Sequence, residues 1–174
     1  IDATYGFGGH SNKILSLLDD EGRLFAVDKD INSIKVAEKA SLDDKRFSLK
    51  HGCFSSLSDY SKEWGIYGAV NGILFDLGVS SEHLDNPERG FSFRQNGPID
   101  MRFDQSCGLS ACEWIDYVDE QTLYKVIKRY GEERYSKRIA REIIYHREKE
   151  KINNTHDLVK VIDRAIPKNE KNKH

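Results

Sequence analysis

The sequence predicts an α/β protein in which four strands of a parallel, doubly wound sheet are followed by a helical segment. Three observations support this fold class. Short β-branched runs alternate with stretches of helical period up to about residue 77. A glycine-rich turn follows the first of these runs, and from Ser110 onward the period is helical throughout. Alternation of this kind is typical of successive βα units, whose parallel strands are covered by helices on both faces.

The first part of the chain contains the predicted strands, and right-handed crossovers between them would build one half of a doubly wound sheet. The predicted strands are residues 1–4, 23–28, 46–51 and 69–77. The predicted helices between them are residues 10–18, 31–41 and 55–63.

Residues 78–108 are interrupted by Gly and Pro and show no sustained period, and a loop of this length inside a domain is usually functional. We therefore predict that 1–108 is the N-terminal part of the sheet domain and that 109–174 is a helical domain. Its predicted helices are residues 110–117, 120–130, 133–150 and 155–165, with Gly131 after the second, Thr155 as N-cap of the last, and a mobile polar tail from Pro167.

The charge of the chain is unevenly distributed. The formal net charge is only -2, which by itself gives no reason to expect a nucleic-acid partner. Residues 120–174, however, hold 15 basic and 9 acidic side chains, whereas residues 1–119 hold 12 basic and 20 acidic ones. The second part of the chain is therefore the part that could attract an anionic partner.

The cysteines and the hydropathy pattern exclude several classes of protein. Cys53, Cys107 and Cys112 form no CxxC pair and no cluster with metal-ligand spacing, so the sequence indicates neither a disulfide framework nor a metal site. No apolar run approaches the roughly 20 residues that a membrane helix needs. We therefore expect a cytoplasmic protein that does not associate with membranes.

The chain is expected to be a fragment, truncated at both ends. It begins at Ile1 inside a predicted strand, and its one methionine is Met101. A fourth strand followed only by helices would leave an exposed sheet edge, which proteins avoid. Such an edge also makes a homodimer of this chain plausible.

A glycine-rich turn follows the first predicted strand, with Gly6, Gly8 and Gly9 preceding His10. Glycine permits positive φ and lets a ligand approach the backbone beside a helix N-terminus, where nucleotide-type ligands bind. The alternative is that the turn serves only to pack a strand closely on a helix. Ser11 stands where the dinucleotide-binding fingerprint requires a third glycine, which argues against NAD.

Two acidic residues end predicted strands. Asp28 lies 20 residues after Gly8, where a carboxylate can accept two hydrogen bonds from a ribose diol. Asp76 closes the fourth strand, so both carboxylates should face one crevice at the carboxyl edge of the sheet. Their alternative roles are a cap for the helix that begins near Ile31 and a turn former, respectively.

Six short motifs occur in order along the chain. They are DATYGFGGHS at 2–11, LFAVDKD at 24–30, DLGVSS at 76–81, ERGFSF at 88–93, GPIDMRFD at 97–104 and YGEERYSKRIAR at 130–141. Together they closely resemble the RsmH (MraW) family of S-adenosylmethionine-dependent methyltransferases, which modify cytosine N4 in the 16S ribosomal RNA of bacteria. The resemblance spans essentially all 174 residues. It implies a class I, Rossmann-like methyltransferase domain interrupted after its fourth strand by a helical domain.

The resemblance also implies which residues contact the methyl donor S-adenosylmethionine. Phe54 would lie near the adenine, although the residue type alone suggests a core aromatic. His83 stands where the family usually has a glutamine that contacts the donor. We expect Asp76 to be the catalytic residue that aligns the donor and the amine. The full set of implied donor contacts is Gly8, Gly9, His10, Asp28, Phe54, Asp76 and His83.

Polar residues of the loop 78–108 and of the basic helical segment become substrate candidates through the same resemblance. Without it they are interpreted as turn formers and solvated charges. A basic face over two helical turns could neutralise RNA phosphates. The alternative is a solvated face with pairs such as Arg138 with Glu142. The expected partner is 16S ribosomal RNA or the small ribosomal subunit. The candidates are Arg89, Arg94, Asn96, Asp100 and Arg102 in the loop and Arg134, Lys137, Arg138 and Arg141 on the helix.

Two other functions compete with methyl transfer. An NAD-dependent oxidoreductase fragment would share the glycine turn and Asp28, but it gives no account of residues 78–104. A non-catalytic RNA-binding module would use the basic helices, but it would need neither the glycine turn nor two acids at strand ends. Binding of the methyl donor or of NAD would distinguish these functions.

Overall fold

The computed structural model describes residues 1–41 and 44–167. At residues 39–41 it describes only the backbone. The chain divides into two compact units, Ile1–Gly78 and a second that begins at Val79. The strands are β1 (Leu24–Asp28) and β2 (Phe47–His51), and the helices are α1 (Gly9–Leu15), α2 (Ile31–Ser41), α3 (Leu57–Glu63), α4 (Ser81–Asp85), α5 (Ala111–Tyr117), α6 (Glu120–Tyr130), α7 (Ser136–Arg147) and α8 (Thr155–Ala165), with 3-10 turns at Phe54–Ser56 and Pro87–Arg89.

The first unit contains a small parallel sheet. Strands β1 and β2 pair in parallel, with Leu24 opposite Phe47 and Asp28 opposite His51. Asp2 extends this sheet by parallel bridges to Ala26 on one side and to Leu74 on the other. The predicted strands 23–28 and 46–51 are thereby confirmed to within one residue at one end.

The predicted strands 1–4 and 69–77 are wrong as regular strands, because each is reduced to a bridge at one residue. The backbone pairing nevertheless exists: the N–H of Ala3 donates to the carbonyl of Leu74 at 2.9 Å, and that of Leu74 to the carbonyl of Ile1 at 2.8 Å. Gly68, Asn71 and Gly72 fall within 69–77 or next to it, and both residue types are disfavoured in strands. The ladder therefore stays short.

Strand β1 carries apolar side chains on both faces. Ala26 belongs to a buried cluster with Tyr5 and Phe47, whose ring centroids are 5.6 Å apart. Val27 belongs to a second buried cluster with Leu57. Because successive side chains of a strand point to opposite faces, the two clusters lie on the two sides of the sheet.

The second unit is built on the helices α5–α8, whose buried cluster includes Ile115, Leu123, Ile139 and Val161. The predicted helices are confirmed apart from their ends, and Gly131 follows α6 as predicted. Helix α7 begins at Ser136 and not at residue 133.

The start of one helix and the N-cap residue of another differ from the prediction. Glu132 has a left-handed backbone (φ 51°), and the Glu133 carboxylate accepts a hydrogen bond from the N–H of Tyr135 at 2.6 Å, so the helix cannot begin earlier. The predicted cap Thr155 is also wrong. Asn154 caps α8 by accepting from the N–H of Asp157 at 2.9 Å, while the Thr155 hydroxyl donates to the carbonyl of Gln95 at 3.3 Å.

Residues 78–108 are more ordered than the predicted loop. They contain α4 and a 3-10 turn, and their chain segments pack backbone against backbone. A Cβ atom at Gly97 would lie 2.1 Å from the carbonyl oxygen of Pro87. Ile99 is buried in the helical cluster, and its carbonyl accepts from the N–H of Cys112 at 2.7 Å.

The compact units divide after Gly78, whereas the sequence placed a domain boundary after residue 108. The difference arises because residues near Ile99 pack with the helices. The predicted polar tail lies outside the described residues from residue 168 onward. Within residues 1–41 and 44–167, no helix combines the length and apolar character that crossing a membrane requires.

Candidate functional site

The glycine turn before α1 depends on left-handed backbone at Gly6 (φ 56°) and Gly8 (φ 82°). The N–H of Gly8 donates to the carbonyl of Tyr5 at 2.9 Å. A Cβ atom at Gly8 would lie 2.5 Å from the hydroxyl oxygen of Tyr5, so this position excludes other residues twice, by conformation and by contact. The turn therefore closes over the Tyr5 ring.

Asp28 ends β1 and holds this turn. One carboxylate oxygen accepts from the N–H of Gly6 at 2.6 Å, and the other accepts from the N–H of Asp30 at 2.7 Å. The alternative role as a cap of α2 falls instead to Asp30, whose carboxylate accepts from the N–H of Asn32 at 2.9 Å.

Asp2 is a fully buried acid that sequence reasoning missed. Its carboxylate accepts from the Ser11 hydroxyl at 2.7 Å and from the N–H of Thr4 at 3.1 Å, which ties α1 to the bridged segment. These contacts explain why Ser11 stands where a dinucleotide fingerprint has glycine. The sequence did contain a signal, namely an acid between the apolar residues Ile1 and Ala3 of the first predicted strand.

Asp76 and His10 lie beside the turn. The N–H of Asp76 donates to the Thr4 hydroxyl oxygen at 2.7 Å, and its carboxylate lies 3.6 Å from Nδ1 of His10. The side chain of Asp76 is 65% exposed and that of His10 is 60% exposed. An exposed acid is thus fixed by its backbone at the end of the segment that pairs with residues 1–3. The structure brings four of the predicted elements to this edge: the glycines, His10, Asp28 and Asp76.

Phe54 opens the 3-10 turn after β2 and packs edge-on against Phe75, with ring centroids 5.7 Å apart. The alternative interpretation as a core aromatic is wrong, because Phe54 is 43% exposed. Phe75 is exposed as well, so the two rings offer an accessible aromatic surface.

The thiol of the preceding residue, Cys53, has its pKa lowered by hydrogen bonds from the side chain and the backbone of Ser55.

His83 lies in the second unit, where its ring is part of a structural cluster. Its Nδ1 accepts from the N–H of Ser80 at 3.0 Å, and its own N–H donates to the Ser80 hydroxyl oxygen, which completes a capping box at α4. The ring is buried against Phe91 and Phe103 at centroid distances of 5.3 and 5.0 Å. The contact of His83 with the donor stays a prediction.

Three loop residues predicted as substrate candidates instead hold the loop together. Arg89 is 4% exposed and donates from one nitrogen to the carbonyls of Arg102 and Phe103 at 3.0 and 2.9 Å. Arg102 forms a two-point pair with the Asp100 carboxylate at 3.1 and 2.7 Å. The interpretation of these arginines as solvated charges is therefore wrong.

Asp100 is the buried member of that pair. Burial alone would raise the pKa of its carboxyl, but hydrogen bonds from the side chain and backbone of Arg102 outweigh it, so the pKa lies below the usual value. The same bonds raise the pKa of the Arg102 guanidinium. Both groups are charged at neutral pH, which makes the pair a strong, charge-assisted one.

Arg94 and Asn96 are exposed members of the same loop. The Asn96 side-chain oxygen accepts from the N–H of His156 at 3.2 Å, and the His156 ring contacts the carbonyl of Phe93 at 3.2 Å. The start of α8 thus fixes the loop from which Arg94 projects. Arg94 is the one of the three loop arginines that an external partner can readily reach.

The basic residues near α7 are exposed but do not form one uniform face. The guanidinium carbons of Arg134 and Arg138 lie 4.5 and 5.9 Å from the centroid of the Tyr135 ring. Arg141 pairs with Glu120 of α6 at 3.7 Å. The predicted row Arg134, Lys137, Arg138 and Arg141 therefore divides into a group around Tyr135 and one ion-paired arginine.

Comparison with known proteins places this arrangement in a family. Residues 1–174 match the MraW methylase family. The chain is 51% identical over 174 residues to a protein of Hydrogenovibrio crunogenus named ribosomal RNA small subunit methyltransferase H. It is 49% identical over 174 residues to a protein of the same name from Buchnera aphidicola subsp. Schizaphis graminum.

Each comparison covers 100% of this chain and 55% of the relative, so the chain spans about half the length of the curated relatives it matches. About half of all aligned positions are identical, and the family match extends over every residue. The chain therefore belongs to the MraW methylase family, which confirms the resemblance predicted from its motifs.

Proposed function

We propose that this chain is part of an S-adenosylmethionine-dependent methyltransferase that methylates the exocyclic N4 of a cytosine in 16S ribosomal RNA. The observation that carries the proposal is the grouping at one edge of the sheet, where Asp28 holds Gly6 and Asp76 lies 3.6 Å from His10. Family membership and the names of the two relatives support the reaction class and the ribosomal substrate.

The proposed fold is a class I, Rossmann-like methyltransferase domain. In support, the Asp2 segment is hydrogen-bonded to β1 on one side and to Leu74 on the other. The order across the sheet is therefore β2, β1, the Asp2 segment and the Leu74 segment. From the Asp2 segment the chain first adds β1 and β2 on one side and later returns to pair on the other side. Ligands of doubly wound sheets bind where the strand order reverses in this way. We assign residues 1–108 to this domain by sequence order and 109–174 to an inserted helical domain, with Ile99 of the first segment packed among the helices.

The glycine turn fits a ligand that approaches the backbone closely. A Cβ atom at Gly6 or Gly9 would meet no atom within 4 Å, so there is open space beside the turn. Gly8, Gly9 and His10 would hold the amino-acid end of S-adenosylmethionine, and Asp28 would accept hydrogen bonds from its ribose. The exposed rings of Phe54 and Phe75 would contact the adenine. When bound, the donor supplies an electrophilic methyl group on a sulfonium sulfur.

Asp76 is the proposed catalytic residue. The exocyclic amine of cytosine is a weak nucleophile because its lone pair is delocalised into the ring. A carboxylate that accepts a hydrogen bond from this amino group orients it and stabilises the positive charge that develops there. Thr4 fixes the backbone of Asp76 and is a positioning residue for this role.

The proposed partner is 16S ribosomal RNA, free or in the small ribosomal subunit, which implies a cytoplasmic enzyme. The exposed cations Arg94, Arg134, Lys137 and Arg138 supply the positive charge that contact with phosphates requires. Arg89, Asp100 and Arg102 support this surface indirectly, because they hold the loop that carries Arg94.

Calorimetric titration of the 174-residue chain with S-adenosylmethionine tests the proposal, with NAD titrated in parallel. We expect binding of S-adenosylmethionine that is lost in Asp28→Ala and retained in Asp20→Ala, an exposed acid near the end of α1. Because Asp28 also holds Gly6, the thermal unfolding of each variant is measured as well. Binding of NAD alone, or of neither ligand by a folded chain, would overturn the proposal.

A further inference from the structure

Tyr130, the last residue of α6, is an unusually accessible aromatic residue. It is 75% exposed, more than any other large hydrophobic residue in the described parts of the chain. The guanidinium carbon of Arg129 lies 5.6 Å from the centroid of its ring. Exposed apolar area is unfavourable in water, so a ring held at the surface beside a cation is suited to a partner that covers it.

A second tyrosine lies just beyond, at the start of α7. Tyr135 is partly buried against the helical core. The guanidinium carbons of Arg134 and Arg138 lie 4.5 and 5.9 Å from the centroid of its ring. The Arg134 guanidinium also donates to the Tyr135 hydroxyl oxygen, so it is held beside the ring. The α6–α7 turn, residues 129–138, thus combines two aromatic rings with three arginines whose guanidinium carbons lie 4.5–5.9 Å from a ring centroid.

The charge of this turn favours an anionic partner. Residues 128–138 contain five cations and two acids, Glu132 and Glu133. The Glu133 carboxylate accepts a hydrogen bond from the N–H of Tyr135, just before α7 begins. A net positive charge around exposed rings is the arrangement by which proteins bind single-stranded nucleic acid, with cations on the phosphates and rings on the bases.

The backbone of the turn is fixed, so the rings are presented in one geometry. The N–H of Gly131 donates to the carbonyl of Ile127 at 3.1 Å, and Glu132 then adopts a left-handed conformation. After this sharp exit from α6, the Glu133 carboxylate accepts from the N–H of Tyr135, the residue before α7. Binding would therefore cost little ordering of the backbone.

We propose that Tyr130 is a stacking platform for an unpaired RNA base and that the α6–α7 turn recognises single-stranded rather than duplex RNA. A base in a duplex is already stacked on both faces and cannot cover an exposed ring, whereas a base in a loop or bulge can. Methylation of cytosine N4 also requires an unpaired base, because that amino group lies on the pairing edge. The inference rests on the proposed function in that RNA is the substrate.

The test is fluorescence anisotropy of the full chain with a labelled single-stranded RNA of about 12 nucleotides and with a duplex of the same length. We expect Tyr130→Ala to weaken single-strand binding roughly 5- to 150-fold, since stacking contributes about 1–3 kcal/mol per base. Tyr130→Phe should bind as the unmodified chain does. The matched control is Tyr145→Ala, an exposed tyrosine beside Lys149 near the other end of α7.

A second measurement separates stacking from charge. The dependence of affinity on salt should be unchanged in Tyr130→Ala and reduced in Arg138→Ala, because only the arginine contacts phosphate. Equal affinities of Tyr130→Ala and the unmodified chain, or equal losses in Tyr130→Ala and Tyr145→Ala, would overturn the inference while RNA binding stands. Absence of RNA binding by a chain that binds S-adenosylmethionine would overturn both the inference and the proposed substrate.

Discussion

Asp76 is the side chain on which the proposed methyl transfer depends most directly. We expect Asp76→Ala to lower turnover about 10²- to 10³-fold, the usual effect of removing a group that stabilises developing charge. Thr4→Val should lower kcat about tenfold with KM unchanged, because it removes the acceptor that fixes the Asp76 backbone. Transfer of labelled methyl to small-subunit RNA measures both. Near-normal turnover of Asp76→Ala would contradict the catalytic role.

Met101 is a residue whose backbone is strained. It has a left-handed conformation (φ 61°), its N–H donates to the carbonyl of Arg89 at 3.0 Å, and it is 50% exposed. Left-handed backbone costs a non-glycine residue roughly 1–2 kcal/mol, partly offset by the greater freedom of glycine in the unfolded chain. We expect Met101→Gly to raise the free energy of unfolding by about 0.5–1 kcal/mol in urea titration.

Glu132→Gly is the matched variant for that prediction, because Glu132 is also left-handed and exposed. Both substitutions should stabilise the chain. If Met101→Gly destabilised it while Glu132→Gly did not, the Met101 side chain would be contributing contacts that exceed the strain.

At the scale of elements, the Asp100 and Arg102 pair should make the stability of the 87–104 loop depend on pH. The pKa of the Asp100 carboxyl is lowered in the folded state, so this carboxylate stabilises the fold above the ordinary aspartate pKa of about 3.9. That contribution is lost as the pH falls through the lower, folded-state pKa. Asp100→Asn should therefore be less stable than the unmodified chain at pH 7 by roughly 1–3 kcal/mol.

The two proteins should then converge in stability as the pH falls below the usual aspartate range, because the Asp100 carboxyl becomes protonated. Urea titrations at neutral and acidic pH measure this convergence. Asp20→Asn, which removes an exposed charge, controls for the change in net charge. A stability gap that stayed constant with pH would contradict the role of the carboxylate charge.

Helices were predictable from the sequence to within a few residues because their signals are local. The residues that carry these signals lie inside the helix or next to its ends. They are the apolar residues of the helical period, the acids in the first turn and a following glycine such as Gly131 after α6. The strands at Asp2 and Leu74 were less predictable, since their regularity depends on pairing between residues about 70 apart. The N-cap of α8 was mispredicted for a related reason: Thr155 bonds to Gln95 and Gly97, and Asn154 caps the helix.

The candidate site was predictable where residue types and spacing express its chemistry. Gly8, Asp28 and Asp76 lie where the motifs indicated, at turns and strand ends. Arg89 and Asp100 were misread, because a charged residue in a polar loop gives no local sign that it will be buried by backbone from other parts of the loop. The buried Asp2 was missed because its partner Ser11 lies across the glycine turn.

At the scale of the whole molecule, two binding functions are assigned to two compact units. The proposed donor residues lie in Ile1–Gly78, with His83 as the exception, and the RNA candidates all lie beyond Val79. The charges follow a similar division, since the basic excess is confined to residues 120–174. Because the two functions use different residues, substitutions should affect one ligand and spare the other.

Reversal of Arg134, Lys137 and Arg138 to Glu tests this separation. Each reversal removes a phosphate contact and adds a repulsive charge, so RNA affinity should fall at least about tenfold and its salt dependence should become shallower, by roughly 0.7 in slope per lost contact. Affinity for S-adenosylmethionine should stay unchanged, and Asp28→Ala should show the converse pattern. Anisotropy and calorimetry on the same samples measure both affinities. Loss of donor binding in the triple variant, with its thermal unfolding unchanged, would mean that the helical residues also take part in the donor site.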